Sequence, residues 1–148
     1  GAAPFARGFA EAFAARRTVK AETLATAIKI GDPASWDRAV RTIRETRGVV
    51  TSVSDAEILE AKAVIDGAGI GCEPASAASV AGARQLRERG VIGLDERVVC
   101  ILTGHVLKDP GALITYHQET EPPPARANRP LRIPPEVDAV ARILERRR

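Results

Sequence analysis

One stretch constrains the fold of this chain more than any other: a continuous apolar run that ends abruptly in small and polar residues. Val98–Leu102 consists of five apolar residues, three of them Val or Ile, which is typical of a strand buried on both faces of a parallel sheet. Thr103, Gly104 and His105 follow at the carboxyl end of that strand. Because open α/β sheets bind ligands outside the carboxyl ends of their strands, this position predicts a site for a small ligand.

The segments before this strand predict an α/β fold. Val49–Val53 is a second candidate strand, and Ser54 with Glu57 forms a capping box that begins the following helix. That helix ends at Gly67–Gly69, and one of its faces carries Ile58, Ala61, Lys62 and Ile65. A similar unit precedes it, because the small apolar residues of Thr23–Ile30 are followed by a helix that Ser35 can cap. Two consecutive units of a strand followed by a helix predict a parallel sheet covered by helices.

Two helices are predicted near the start of the chain. The first runs to about Arg17 and has an aromatic stripe at every fourth residue, made of Phe5, Phe9 and Phe13. The second has a candidate N-cap at Ser35 and ends at Gly48. We expect both to pack their apolar faces against the core.

Small residues and prolines mark the rest of the chain. Gly69–Gly82 is composed almost entirely of small residues and leads into a helix that ends near Arg89. Such residues allow a close approach, either of a helix to the sheet or of a ligand to the backbone. Residues 119–134 are rich in proline and predict an extended connection. A last helix is predicted over about 135–147.

Composition excludes several classes of protein. The net charge of +3 comes from 22 basic and 19 acidic residues spread along the chain, and aromatic residues are 3%, so neither a basic footprint nor a stacking surface for nucleic acid is present. No apolar run approaches the roughly 18 residues of a membrane span. The first residues lack the order of a signal peptide. We therefore expect a cytoplasmic protein with no nucleic-acid or membrane partner.

Several polar residues have two interpretations from sequence alone, one functional and one structural. Thr103 and His105 provide either a ligand hydroxyl with an acid or base, or a hydrogen-bonded turn. Glu73 is either a catalytic carboxylate or a residue favoured by the helix dipole. Cys72 and Cys100 are expected to be buried free thiols. No metal site is predicted, because the two His and two Cys occur at no ligand spacing. None of the four lysines is expected to lie in an apolar setting that would depress its pKa.

Four segments, taken in this order, resemble threonine synthases, a family of fold-type II pyridoxal-phosphate enzymes. They are GAAPFAR at 1–7, AIKIGDPASW at 27–36, EPASAAS at 73–79 and LTGHVLKD at 102–109. The resemblance implies a three-layer α-β-α fold with a parallel sheet, similar to the tryptophan synthase β chain. Residues 1–118 would form the C-terminal part of the large domain, 119–134 the Pro-rich connection and 135–148 a C-terminal helix.

The resemblance also implies a lyase reaction: O-phospho-L-homoserine and water give L-threonine and phosphate, with pyridoxal phosphate as electron sink. Thr103 matches the family position whose hydroxyl binds the pyridine nitrogen. Ile30 and Gly31 match a segment whose backbone lies near the cofactor. Glu73 and Ser76 match the small-residue wall and helix start beside the cofactor. The family resemblance further suggests a homodimer.

The sequence departs from the family pattern in two respects. Val106 stands where a second glycine usually follows Thr-Gly-His. The segment that supplies the Schiff-base lysine is absent, as is the glycine-rich loop that holds the cofactor phosphate, so no catalytic residue is assigned. Lys108, beside Asp109, is expected to be a solvated cation. We therefore expect the chain to begin inside a longer enzyme, to need the missing N-terminal half as partner and to be inactive alone.

Two other readings remain open. One is another fold-type II enzyme, a threonine dehydratase or a cysteine synthase relative, although the Ile30–Trp36 run favours threonine synthase. The other is a noncatalytic α/β binding or assembly module that kept the wall of the site and lost the lysine. Such a module should expose a polar edge, whereas Phe5, Phe9 and Phe13 indicate an apolar face.

Overall fold

The structure consists of helices joined by irregular segments. It is a computed structural model that describes residues 18–129 and 131–145. Its elements are a 3₁₀ turn at Thr26–Ile28, α1 at Trp36–Glu45, α2 at Asp55–Gly67, α3 at Pro74–Glu88, α4 at Pro110–Ile114, a π-helical turn at Thr115–Glu119, and α5 at Val137–Glu145. The predicted helix with Phe5, Phe9 and Phe13 lies outside the described residues.

The helix starts follow from local sequence with one exception. At α2, Ser54 Oγ accepts a hydrogen bond from Glu57 N at 3.3 Å, and Glu57 Oε2 accepts one from Ser54 N at 2.6 Å. The predicted capping box is therefore confirmed. Pro74 begins α3, where its missing N–H costs nothing. Ser35 precedes α1, but its side chain makes no capping hydrogen bond, so the predicted cap is wrong.

Three helices end with the same backbone motif. Each of α1, α2 and α3 is followed by a residue with positive φ: Arg47 at 52°, Gly69 at 78° and Gly90 at 72°. After α1, Arg47 N bonds Arg44 O at 3.1 Å and Gly48 N bonds Ile43 O at 2.8 Å, which is the Schellman pattern. The chain therefore turns at Arg47, one residue before the predicted Gly48.

The core lies between α2 and α3. Ile58, Ala61 and Ile65 of α2 pack with Ala77 and Ala81 of α3, and Ala25 and Cys72 complete this cluster. The predicted buried face of α2 is confirmed. Small residues on the α3 side let the two helices approach closely, so the small-residue stretch contributes to helix packing.

The predicted strands are not paired in the described part of the chain. Neither 49–53 nor 98–102 belongs to a β-ladder, and no other described residue does. Val99 is 87% exposed and Ile101 is 72% exposed, whereas Leu102 packs against the core between α2 and α3. Burial on both faces was therefore wrong for this run. A parallel strand needs hydrogen-bonding neighbours and a second helical layer, and the core between α2 and α3 covers one side only.

The C-terminal part is irregular up to α5. Residues 120–129 and 131–136 contain no helix, in agreement with a Pro-rich connection. In α5, Ala139 is buried, but Val137 is 84% exposed and Leu144 is 62% exposed. The last helix is therefore present as predicted, and the side that carries Val137 and Leu144 is largely exposed. Within the described ranges, no helix has the length and apolar character needed to cross a bilayer.

Candidate functional site

Ser76 joins α3 to the loop that follows 98–102. It lies in the first turn of α3 and is 3% exposed. Its Oγ accepts hydrogen bonds from Thr103 N and from Gly104 N, each at 2.9 Å. Thr103 Oγ1 lies 3.3 Å from the same oxygen. The structure therefore brings together two residues that the sequence assigned to one site from motifs 27 residues apart.

Glu73 is the buried carboxylate of this site. It precedes α3, and its backbone N donates to Gly104 O at 3.1 Å. The side chain is 4% exposed, and Lys108 Nζ lies 3.4 Å from its Oε2. That oxygen accepts no hydrogen bond from any described residue, so the contact with Lys108 is a charge pairing without hydrogen-bond geometry. The start of a helix favours the negative charge.

Lys108 and Asp109, which are neighbours in sequence, contact different groups. Lys108 is 63% exposed and pairs with Glu73. Asp109 Oδ2 instead accepts hydrogen bonds from Thr26 N at 3.3 Å and Thr26 Oγ1 at 2.6 Å. This bond ties the 3₁₀ turn to the loop that contains His105. The loop is therefore held at both ends, by Ser76 and by Thr26.

Steric contacts explain why two positions of the site are occupied by glycine. A Cβ at Gly104 would overlap Cδ and Oε1 of Glu73, so only glycine fits there in this arrangement. Gly71 has a φ of 68°, and a Cβ there would lie 3.1 Å from Val106 Cβ. Val106, the departure from the family pattern, therefore fills the space beside Gly71.

The exposed side of the site is formed by Thr103 and His105. His105 Nδ1 accepts a hydrogen bond from Leu107 N at 3.2 Å, and its carbonyl accepts one from Lys108 N at 3.0 Å. These bonds close a turn. His105 therefore has the role of a hydrogen-bonded turn residue, which was one of its two interpretations from sequence. Thr103 is an exposed residue whose backbone N and side-chain Oγ1 both contact Ser76 Oγ.

Ile30 and Gly31 lie apart from this hydrogen-bond network. Gly31 O accepts a hydrogen bond from Val19 N at 3.1 Å, and a Cβ at Gly31 would overlap Val19 O. Ile30 is 43% exposed. Within 18–129 and 131–145, no hydrogen bond or ion pair links either residue to Ser76 or Thr103. Their assignment to the cofactor site stays a prediction.

Lys62 is a buried lysine that sequence reasoning missed. It is 2% exposed, and its Nζ donates to Asp66 Oδ2 at 2.8 Å and to Cys72 O at 2.6 Å. The sequence interpretation did not predict that this lysine is buried. The sequence signal that could have indicated this burial was the position of Lys62 on the apolar face of α2. These bonds fix the turn that leads into Glu73.

The two cysteines are free, and their burial differs. Cys72 is 1% exposed, and burial raises the pKa of its thiol, although the nearby Lys62 ammonium acts in the opposite direction. Cys100 is half-buried. The prediction of buried thiols is thus confirmed for Cys72 only. In the part of the chain that the structure covers, no group of three or more His, Cys, Asp or Glu side chains has an arrangement suited to a metal ion.

Comparison with known proteins defines the class. The family model described as pyridoxal-phosphate dependent enzyme matches residues 1–104. The chain belongs to this family. Within it, the sequence is similar to proteins named threonine synthase, which confirms the resemblance carried by the four motifs.

Three such relatives illustrate the similarity. The threonine synthase of Methanosarcina acetivorans is 57% identical over 99 residues, covering 66% of this chain and 24% of the relative. That of Methanocaldococcus jannaschii is 43% identical over 125 residues, with 84% and 28% covered. Threonine synthase 2, chloroplastic, of Arabidopsis thaliana is 34% identical over 141 residues, with 93% and 27% covered. The chain spans about a quarter of the length of these curated relatives.

Proposed function

We propose that this chain is the C-terminal part of a threonine synthase that converts O-phospho-L-homoserine and water to L-threonine and phosphate with pyridoxal phosphate. The observation that carries the proposal is the joining of two motifs of the resemblance at one site. Ser76 of EPASAAS holds Thr103 and Gly104 of LTGHVLKD. Relatives that bear the threonine synthase name support the choice of reaction.

The residues present fit the ring of pyridoxal phosphate. Thr103 is an exposed residue with a hydroxyl, and Ser76 fixes its backbone. Glu73 Oε2 is a buried acceptor with no hydrogen bond from the described residues, so a donor group on a bound molecule can satisfy it. A polar rim of this kind, beside the small residues of α3, suits a flat heteroaromatic ring with polar substituents.

Each residue of the site has a proposed task. Thr103 would bind the pyridine nitrogen of the cofactor, and Glu73 and Ser76 would form the wall beside the ring. Ile30 and Gly31 would bring their backbone near it in the complete protein. When bound, the cofactor withdraws electrons from the reacting carbon. A neutral Thr103 hydroxyl moderates this withdrawal, because it does not hold the ring nitrogen protonated as a carboxylate would.

We also propose a three-layer α-β-α fold for the complete domain. Val98–Leu102 and Val49–Val53 would become strands of a parallel sheet once the rest of the polypeptide supplies neighbouring strands. The exposure of Val99 and Ile101, at 87% and 72%, supports this, because such side chains need a covering layer. The lysine that attaches the cofactor would come from that remainder. The complete protein would be a cytoplasmic homodimer.

The test uses the whole natural polypeptide that contains these 148 residues, purified with pyridoxal phosphate. We expect phosphate and L-threonine to form in equal amounts from O-phospho-L-homoserine. Formation of 2-oxobutanoate from L-threonine, with no phosphate release, would replace the proposal with a dehydratase. Reaction of O-acetyl-L-serine with sulfide would replace it with a cysteine synthase relative. Failure to bind the cofactor would favour a binding or assembly module.

Borohydride reduction followed by peptide mapping tests where the cofactor attaches. Neither Lys62 nor Lys108 is suited to the task, because Lys62 is enclosed by its two hydrogen bonds and Lys108 pairs with Glu73. We expect the labelled lysine to lie outside residues 1–148. A label on any lysine of this chain would contradict the assignment.

A further inference from the structure

The backbone of the loop fixes which hydroxyl donates in the contact between Ser76 and Thr103. Ser76 Oγ already accepts two backbone hydrogen bonds, from Thr103 N and Gly104 N, each at 2.9 Å. A serine hydroxyl has two acceptor lone pairs and one hydrogen. Both lone pairs are therefore used, and only its hydrogen remains. Because Thr103 Oγ1 lies 3.3 Å away, Ser76 donates that hydrogen and Thr103 accepts it.

Thr103 consequently retains its own hydrogen for a ligand. We propose that Ser76 is a positioning residue that makes the Thr103 hydroxyl a hydrogen-bond donor toward an acceptor on the bound molecule. This inference rests on the proposed function, in which that acceptor is the unprotonated pyridine nitrogen of the cofactor. Ser76 acts through Thr103 and is not itself a ligand of the ring.

The hydrogen bonds of this site form a chain with one direction. Backbone N–H groups donate to Ser76, Ser76 donates to Thr103, and Thr103 donates to the ring nitrogen. Bonds aligned in this way polarise one another and are mutually strengthening. A protonated ring nitrogen is itself a hydrogen-bond donor, and it would face the donating hydroxyl of Thr103. Ser76 therefore favours the ring nitrogen without its proton. Glu73, Lys108 and Asp109 are charged groups in or against this loop, and the Ser76 variants leave all three unchanged.

The chain offers a matched control one turn further along α3. Ser79 Oγ donates to the backbone carbonyl of Ser76 at 2.8 Å and makes no hydrogen bond with the Ser76 hydroxyl. Ser79→Ala removes a hydroxyl of the same size from the same helix. It therefore reproduces the general effect of the substitution without changing the direction of the bond to Thr103.

The experiment measures the ¹⁵N resonance of pyridoxal phosphate labelled at its ring nitrogen and bound to the whole natural polypeptide. We expect the unprotonated position in the natural protein and in Ser79→Ala. In Ser76→Ala the resonance should move upfield toward the pyridinium position, because Thr103 Oγ1 is then free to accept a hydrogen bond from a protonated nitrogen. Thr103→Val offers neither donor nor acceptor, so its resonance should move downfield, away from the pyridinium position. Ser76→Thr, which keeps the hydroxyl, should restore the natural position. Ser76→Cys, with a weaker donor, should give an intermediate shift and serves if Ser76→Ala does not fold.

Two results would overturn the inference. One is a Ser76→Ala or Ser76→Cys resonance identical to that of the natural protein, and the other is a pyridinium resonance in the natural protein itself. The readout needs only bound cofactor, so it is separable from the proposed reaction. A protein that binds the cofactor and shows the expected shifts without releasing phosphate would refute threonine synthase activity and leave the role of Ser76 intact. A protein that binds no cofactor would refute both.

Discussion

Replacing Gly104 with alanine inserts a methyl group into the space of the buried Glu73 carboxylate. A Cβ at position 104 would overlap Cδ and Oε1 of Glu73 and lie 2.5 Å from its Cγ. The side chain of Glu73 is 4% exposed, so it has little room to withdraw. The backbone bond from Glu73 N to Gly104 O, at 3.1 Å, also holds the two residues together. We therefore expect Gly104→Ala to overpack the site.

The expected cost follows from the size of the inserted group. An extra methyl group in a closely packed site lowers the free energy of unfolding by about 1–3 kcal/mol. A cost of about 2 kcal/mol reduces the ratio of folded to unfolded protein by roughly thirtyfold. The φ of Gly104 lies outside the left-handed region, so the cost is steric. Shortening Glu73 to alanine in the same protein should recover about 1–2 kcal/mol.

The assay is urea unfolding of the whole natural polypeptide, followed by circular dichroism. Gly67→Ala is the matched control, because a Cβ at Gly67, the last residue of α2, meets nothing within 4 Å. That variant should be as stable as the natural protein or more stable by up to about 1 kcal/mol. A Gly104→Ala variant with an unchanged midpoint would refute the steric reasoning, as would a double variant with Glu73→Ala that recovers nothing.

Three further substitutions test other elements by the same unfolding assay. Arg47→Gly should stabilise the protein by about 1 kcal/mol, because the left-handed φ of 52° is strained for arginine; a loss of stability would contradict the helix end described above. Ser54→Ala should cost about 1 kcal/mol through loss of the cap. Backbone and side-chain hydrogen bonds from Ser54 lower the pKa of Glu57 below its ordinary value of 4.5. The ionised Glu57 carboxylate therefore stabilises the fold above pH 4.5, and this contribution is lost as the pH falls through the lowered pKa. A Ser54→Ala effect that stays unchanged at still lower pH would contradict this role of Glu57. Lys62→Ala should cost about 3 kcal/mol, because it leaves Asp66 and the Cys72 carbonyl without their buried donor; a cost below about 1 kcal/mol would mean that water replaces the ammonium group.

The helices were predictable from sequence because their start and end signals are local. The hydrogen bonds between Ser54 and Glu57 span three residues, and Pro74 and Gly90 act through their own backbone preferences. The exception at α1 is instructive. Gly48 has the residue type of a helix stop, yet Arg47 adopts the left-handed conformation. Residue preferences therefore predict the presence of a helix end more reliably than they predict the residue at which the helix ends.

Part of the candidate site was predictable as a set of residues, but its network of hydrogen bonds was not. Two of the four motifs contain Thr103, Glu73 and Ser76, which the structure brings together. Ile30 and Gly31 lie apart from this network, and their place in the site stays a prediction. The partners of Lys62 and Lys108 were missed. Cys72 O and Glu73 lie on other segments than the lysines that contact them, although Asp66 is only four residues from Lys62 on α2. Charge patterning along the chain shows neighbours such as Lys108 and Asp109, whereas burial and distance decide which of the available groups pair.

The sequence by itself determined the presence of α1, α2, α3 and α5, the capping box, the apolar face of α2 and the family of the chain. Each of these depends on interactions within a few residues or on motif order. The tertiary structure alone decided that Ser76 accepts the loop amides, that Lys62 is buried and that Gly104 must lack a side chain. These features join segments distant in sequence, and their energies exist only after the chain has brought those segments into contact. The run Val98–Leu102 illustrates the same limit, since a strand acquires its hydrogen bonds from neighbours and not from its own residues.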